Sequence, residues 1–136
     1  MDAGLIIHEG QLNYGSFGLA KCMDLGELWF EKHRLPIPLG LDVVRKDLGR
    51  STARKINEAL KKSILYAGKN EDEALTYALK FGRGIPRDTG KKFIGMYVNE
   101  DTFDLGKEGE EALRRLFKEG AETGIFEEPV ESGIIS

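Results

Sequence analysis

With 136 residues, 40% apolar and 32% charged side chains and a net charge of −3, the chain has the composition of a soluble globular protein with one modest core. The mixed charges leave no footprint for nucleic acid, no apolar stretch approaches membrane-spanning length, and the opening residues carry no basic-then-apolar export signal. The single cysteine, Cys22, excludes an internal disulfide and fits a reducing compartment, so a cytoplasmic location is expected.

In chain order, the first predicted element is a strand over residues 4–7, whose apolar run Leu5-Ile6-Ile7 delivers His8 and Glu9 to its end before Gly10 breaks the pattern. In an open α/β sheet, ligands bind in the crevice outside the carboxyl ends of strands. An imidazole there sits on a rigid element, titrates near neutral pH and passes protons. The other reading of His8 is a structural histidine bonded to backbone. Glu9 is a weaker candidate, because adjacent strand residues face opposite sides and enter one pocket only where the strand has ended. The His-Glu-Gly-Gln-Leu run lacks the second histidine of a zinc-protease motif.

A short helix follows over residues 24–32, with Asp24 as N-cap and Leu25, Leu28 and Trp29 on one face. A second strand is predicted over residues 39–44, entered through Pro36-Ile37-Pro38, where the prolines forbid helix. After residue 44 the pattern is helical. Ser51 or Thr52 caps a helix with Ala53, Ile56, Leu60, Ile64 and Ala67 on its inner face. Asn70 caps the next, which turns Ala74, Leu75, Ala78 and Leu79 inward and stops at Gly82. Pro86 opens a third, carrying Phe93, Ile94, Met96, Tyr97 and Val98. A fourth spans roughly residues 108–122, turns Ala112, Leu113, Leu116 and Phe117 inward, and ends at Gly124. The tail, residues 125–136, has no clear period and reads as an extended packed arm.

Other chemistry-bearing residues have structural explanations. His33, at a helix end in Glu31-Lys32-His33-Arg34, reads as a solvated residue or a cation near the helix C-terminus. Gly82-Arg83-Gly84 follows a helix rather than a strand and reads as a stop and turn, not a phosphate loop. Cys22 reads as a small packed side chain. Glu100, Asp101 and Asp104 do not match a calcium loop and read as turn residues, so no metal site is expected. The cluster Arg45, Lys46, Arg50, Arg54, Lys55, Lys61 and Lys62, interrupted by Asp47 and Glu58, reads as a solvated helix face.

The inventory is lopsided. Two isolated strands do not make a stable sheet, and the run at residues 5–7 suits a strand with neighbours on both sides. Met1 lies two residues before that strand, an unusual place for a domain to begin. The expectation is a chain that forms the second half of something longer.

Taken in order, Asp2-Ala-Gly-Leu-Ile-Ile-His-Glu-Gly-Gln11, Asp24-Leu-Gly-Glu-Leu-Trp29, Leu35-Pro-Ile-Pro-Leu-Gly40 and Val44-Arg-Lys-Asp-Leu-Gly49 resemble the 1,4-dihydroxy-6-naphthoate synthase family of the futalosine route to menaquinone. Tyr77-Ala-Leu-Lys-Phe-Gly-Arg-Gly84 and Gly95-Met-Tyr-Val-Asn-Glu100 extend the resemblance to all but the tail.

The resemblance implies an α/β fold of the type II periplasmic-binding-protein kind, with two lobes around a cleft. This chain would be its second half, helix-rich after residue 48. Residues 1–45 would complete the second lobe and the return crossing, and residues 46–136 would be helices packing on a first lobe absent from this chain. The implied activity is a lyase converting cyclic dehypoxanthine futalosine to 1,4-dihydroxy-6-naphthoate, with no metal or organic cofactor. The family's proton acceptor falls on His8, with Gly10 and Gln11 as neighbours of the cleft. The implied partners are the small-molecule substrate and the missing N-terminal half, or self-association in its place. The competing expectations are a non-catalytic small-molecule-binding module of the same fold, the related chorismate dehydratase, and an inactive orphaned half.

Overall fold

The structure, a computed structural model, describes residues 2–127, 130, 133 and 134. Among these the chain is helical and contains no strand: α1 (Gly10–Asn13), α2 (Leu25–His33), α3 (Gly49–Lys69), α4 (Glu71–Leu79), α5 (Arg87–Tyr97), α6 (Glu100–Phe103) and α7 (Gly106–Glu122), with short 3-10 turns at Tyr14–Phe17 and Lys46–Leu48. The α/β expectation is therefore corrected for this chain. Residues 4–7 and 39–44 form no ladder, because neither has a neighbouring strand to satisfy its backbone. Leu5 is 74% exposed and Val43 89%.

The predicted helices are present, and their termini show why. Asp24 Oδ1 accepts from the backbone N–H groups of Gly26 (3.0 Å) and Glu27 (3.2 Å), the expected N-cap of α2. The helix closes at Arg34 in the left-handed region (φ 57°), whose N–H donates to Phe30 O at 2.8 Å. Trp29 Nε1 then donates to Pro36 O at 3.1 Å, which ties the proline segment back to α2.

Ser51 and Thr52 do not cap α3. The 3-10 turn brings the chain into helix at Gly49, so both lie inside the first turn. Asp47 is unavailable as a cap, since a two-pronged bond from Arg45 holds its carboxylate. Asn70 stands at the α3–α4 junction as expected, but its amide donates backwards to Tyr66 O at 2.9 Å and so satisfies a carbonyl at the end of α3. Glu71, Asp72 and Glu73 occupy the first turn of α4, where negative charge meets the helix dipole favourably.

Helix α7 ends at Gly124 (φ 75°) as predicted. Ile125 N–H returns to Gly120 O (2.8 Å) and Gly124 N–H to Ala121 O (3.1 Å), the two bonds of a Schellman turn. That turn folds Phe126 back over Gly120, edge-on to Phe117 at 6.0 Å between centroids. A methyl group on Gly120 would collide with the Phe126 ring. The extended arm predicted for residues 125–136 lies largely outside the described residues.

Helix α3 packs on α4 and α4 on α5. The buried apolar residues are Ala53 of α3, Leu75 of α4, and Ala112 and Leu113 of α7, all anticipated as inward-facing. On the rest of the predicted inner face of α3, Ile56 and Leu60 are exposed and Ile64 and Ala67 are half-buried. No helix among the described residues is long and apolar enough to cross a membrane.

Candidate functional site

The chain turns helical at Glu9, whose φ of −53° and ψ of −21° are right-handed α values. Gln11 N–H bonds His8 O at 2.9 Å and Leu12 N–H bonds Glu9 O at 3.0 Å, closing one tight turn around the His-Glu-Gly-Gln run. This geometry reverses the low standing of Glu9. With no strand at this point, the two side chains no longer diverge, and Glu9 Oε2 comes within 3.8 Å of His8 Nδ1.

The His8 side chain is 50% exposed, while that of Glu9 is 16% exposed. Gly10 N–H donates to His8 Nδ1 at 3.0 Å. A backbone N–H can only donate, so Nδ1 carries a lone pair and the neutral ring bears its proton on Nε2. The backbone bond that defines a structural histidine is thus present, alongside a ring whose other edge is open to solvent.

Gly10 is buried beneath that ring. A Cβ there would stand 2.6 Å from His8 Cε1 and 3.2 Å from Ile6 Cγ2, so the imidazole takes the space a side chain would fill. Gln11 is half-buried and donates from Nε2 to the Tyr97 hydroxyl at 3.2 Å. That hydroxyl donates in turn to Ile7 O at 2.7 Å, a bond spanning 90 residues. Arg83 approaches from the turn after α4, its Nε 3.8 Å from Glu9 Oε1. The structure thus brings His8, Gly10 and Gln11 together and adds Glu9, Arg83 and Tyr97.

Tyr97 was visible in the sequence only as one apolar position on a helix face. The signal for more was its phenol, since a tyrosine on a packed face needs a partner for its hydroxyl. The turn reading of Gly82-Arg83-Gly84 agrees with the structure, where Gly84 has a φ of 76°.

Three other readings change or sharpen. His33 is not solvated. Its ring lies tilted at 49° against Trp29, 4.2 Å between ring centroids, and its side chain is 2% exposed. Cys22 is exposed rather than packed. Glu100 and Asp101 lie in α6, which opens with a reciprocal cap between Asn99 and Thr102. Among the described residues, no three His, Cys, Asp or Glu side chains gather closely enough to hold a metal ion.

Comparison with known proteins places this arrangement in a family. The menaquinone biosynthesis family profile matches residues 1–122. The chain is 38% identical over 125 residues to the 1,4-dihydroxy-6-naphthoate synthase of Thermus thermophilus, covering 92% of this chain and 46% of that protein. It is 35% identical to the synthase of the same name from Streptomyces coelicolor, covering 92% of this chain and 44% of that one. The crystal structure of an Archaeoglobus fulgidus protein superimposes with a TM-score of 0.85 at 38% identity, over 89% of this chain and 46% of that chain. The chain thus spans about half the length of the curated relatives it matches. It belongs to the 1,4-dihydroxy-6-naphthoate synthase family of menaquinone biosynthesis.

Proposed function

We propose that this chain supplies the proton-transfer half of a carbon–carbon lyase that converts cyclic dehypoxanthine futalosine to 1,4-dihydroxy-6-naphthoate. The observation that carries the reading is the half-exposed imidazole of His8, backed by Gly10 and held in one turn of backbone. Residues 1–45 would complete the second lobe of a two-lobed α/β binding-protein fold, and residues 46–136 would pack on the first. That first lobe would come from the half of the relatives that this chain does not match. The chain's total exposed surface of 11116 Å² supports such a partner. A folded monomer of its 15.2 kDa exposes about 7,100 Å².

In the reaction, a base removes a proton from carbon or hydroxyl. The electron pair left behind forms a double bond of the ring system as the bond to the sugar-derived fragment breaks. The fragment departs with the electron pair of that bond and takes up a proton from solvent, and the ring becomes aromatic. The proton ends on His8. For Nε2 to accept it, the ring proton must first sit on Nδ1, and the nearest carboxylate to that atom is Glu9, 3.8 Å away. Exchange with solvent moves the ring proton from Nε2 to Nδ1, and a small rotation of the ring then replaces Gly10 N–H with Glu9, which stabilises the imidazolium. A positioned base of this kind contributes about a hundred- to ten-thousand-fold in rate.

The test is turnover of cyclic dehypoxanthine futalosine by this chain combined with the half of the Thermus thermophilus synthase that it does not match. His8→Ala should remove at least about a hundredfold of that turnover with unchanged helix content. Unchanged turnover in His8→Ala would overturn the role of His8. Stoichiometric binding without product in the unmodified pair would favour the non-catalytic binding module.

A further inference from the structure

The His-Glu-Gly-Gln turn is held from both of its ends by a single atom. Tyr97 Oη donates to the carbonyl of Ile7, immediately before His8, at 2.7 Å. The same oxygen accepts from Nε2 of Gln11, the last residue of the run, at 3.2 Å. Tyr97 is itself fixed. Its ring packs on Phe93 at 5.0 Å, one turn earlier on α5, and its own carbonyl accepts from Thr102 Oγ1 of α6 at 2.8 Å.

We infer that Tyr97 is the positioning residue for His8, acting as a two-armed clamp that fixes the peptide plane before the imidazole and the amide beyond it. The inference rests on the reading of His8 as the proton-transfer group. The physical argument is that Ile7 O, at the end of the apolar run, has no backbone donor among the described residues. The tyrosine hydroxyl takes that place. It thereby couples the helices after residue 86 to a turn at the other end of the chain. Gln11 then has one Nε2 hydrogen committed to Tyr97, which orients the amide and leaves its second N–H and Oε1 for a ligand. With the peptide before His8 anchored, the ring moves only about its own side-chain torsions, between Gly10 N–H and Glu9.

Tyr97→Phe removes the hydroxyl and keeps the ring on Phe93. In the chain itself, NMR of the Gln11 side-chain amide and the His8 ring nitrogens should show both displaced from their unmodified positions. In the paired enzyme, kcat should fall about tenfold with KM within about twofold, a fraction of the roughly hundredfold that a 1 Å misplacement costs. Gln11→Ala added to Tyr97→Phe should cost far less than it does alone. Tyr97→Phe added to His8→Ala should cost nothing further, because the tyrosine acts through the histidine. Unchanged Gln11 and His8 resonances, or an undiminished kcat beside a disabled His8→Ala, would overturn the clamp. Full turnover in His8→Ala would instead overturn the parent reading, and the resonances would still decide whether the clamp exists.

Discussion

His33 Nε2 lies 3.4 Å from Glu119 Oε1, joining the end of α2 to α7. Lys32 Nζ donates to the same carboxylate at 2.8 Å and Arg115 Nε lies 3.2 Å from it, so one side chain on α7 gathers three basic groups, two of them from α2. A residue that sequence alone places in solvent is therefore part of the junction between the first third of the chain and its last long helix.

Glu119 makes that junction sensitive to acid. The hydrogen bond from Lys32 holds its carboxyl below the ordinary value of 4.5, with the charges of His33, Lys32 and Arg115 acting the same way against partial burial. A carboxylate depressed in the folded state stabilises the fold above its unfolded pKa, and the contribution is lost as pH falls through the folded value. The stabilisation is thus fully present at neutral pH and disappears below 4.5. Glu119→Gln should lower Tm at neutral pH, and its Tm should converge with that of the unmodified chain as the solution is acidified. Added salt should narrow the neutral-pH gap, since the group is solvent-accessible. Thermal unfolding followed by circular dichroism across that range checks this. A Tm difference that persists in acid would show that lost packing, rather than lost charge, is responsible.

Gly10→Ala separates stability from function at the site. The new Cβ would lie 2.6 Å from His8 Cε1 and 3.0 Å from Nδ1, both at the free end of a half-exposed side chain. The ring has room to swing away, so the backbone turn should survive with Tm nearly unchanged. The Gly10 N–H bond to Nδ1 would be broken, and Nε2 would leave its place. Turnover in the paired enzyme should fall by about tenfold or more, within the range that proton transfer contributes. Equal turnover in Gly10→Ala would mean that the backed position of the ring is irrelevant to the chemistry.

Helix termini were the most legible part of the sequence because their signals are local. Asp24 caps α2 through its own side chain, and Gly124 supplies the positive φ that ends α7. Asn70 marks a true junction, although its amide serves the helix before it rather than the one after. The apolar run before Gly10 and the prolines before residue 39 point to strands at residues 4–7 and 39–44, but a strand is defined by its partner and none is adjacent. The same dependence explains Glu9. Its approach to His8 follows from the chain being helical there, which the apolar run before it does not announce. Tyr97 and Arg83 reach the turn from far along the chain, through contacts that spacing cannot encode. His8, Gly10 and Gln11 were candidates from the sequence, whereas Arg83 and Tyr97 join them only through the fold.

The apolar surface left open on this chain leads to the remaining prediction. Leu5, Ile7, Phe17, Val43 and Phe81 are all exposed, and the chain presents roughly 4,000 Å² more surface than a compact monomer of its mass. Obligate interfaces bury about 2,000 to 5,000 Å² over both partners, or roughly half of that on each, so the excess on this chain alone is more than enough for one. The occupant we commit to is the half of the synthase that this chain does not match, because the surface includes the two segments that lack sheet partners. Alone, the chain should bind an apolar dye and associate as its concentration rises. Mixed with that half, it should form a one-to-one complex, lose the dye, and unfold in a single cooperative transition at higher temperature. Sedimentation and dye fluorescence on the same samples measure both properties. A dye-silent monomer that unfolds cooperatively and ignores the added half would show that the chain closes its own core, and the two-half reading of the site would fall with it.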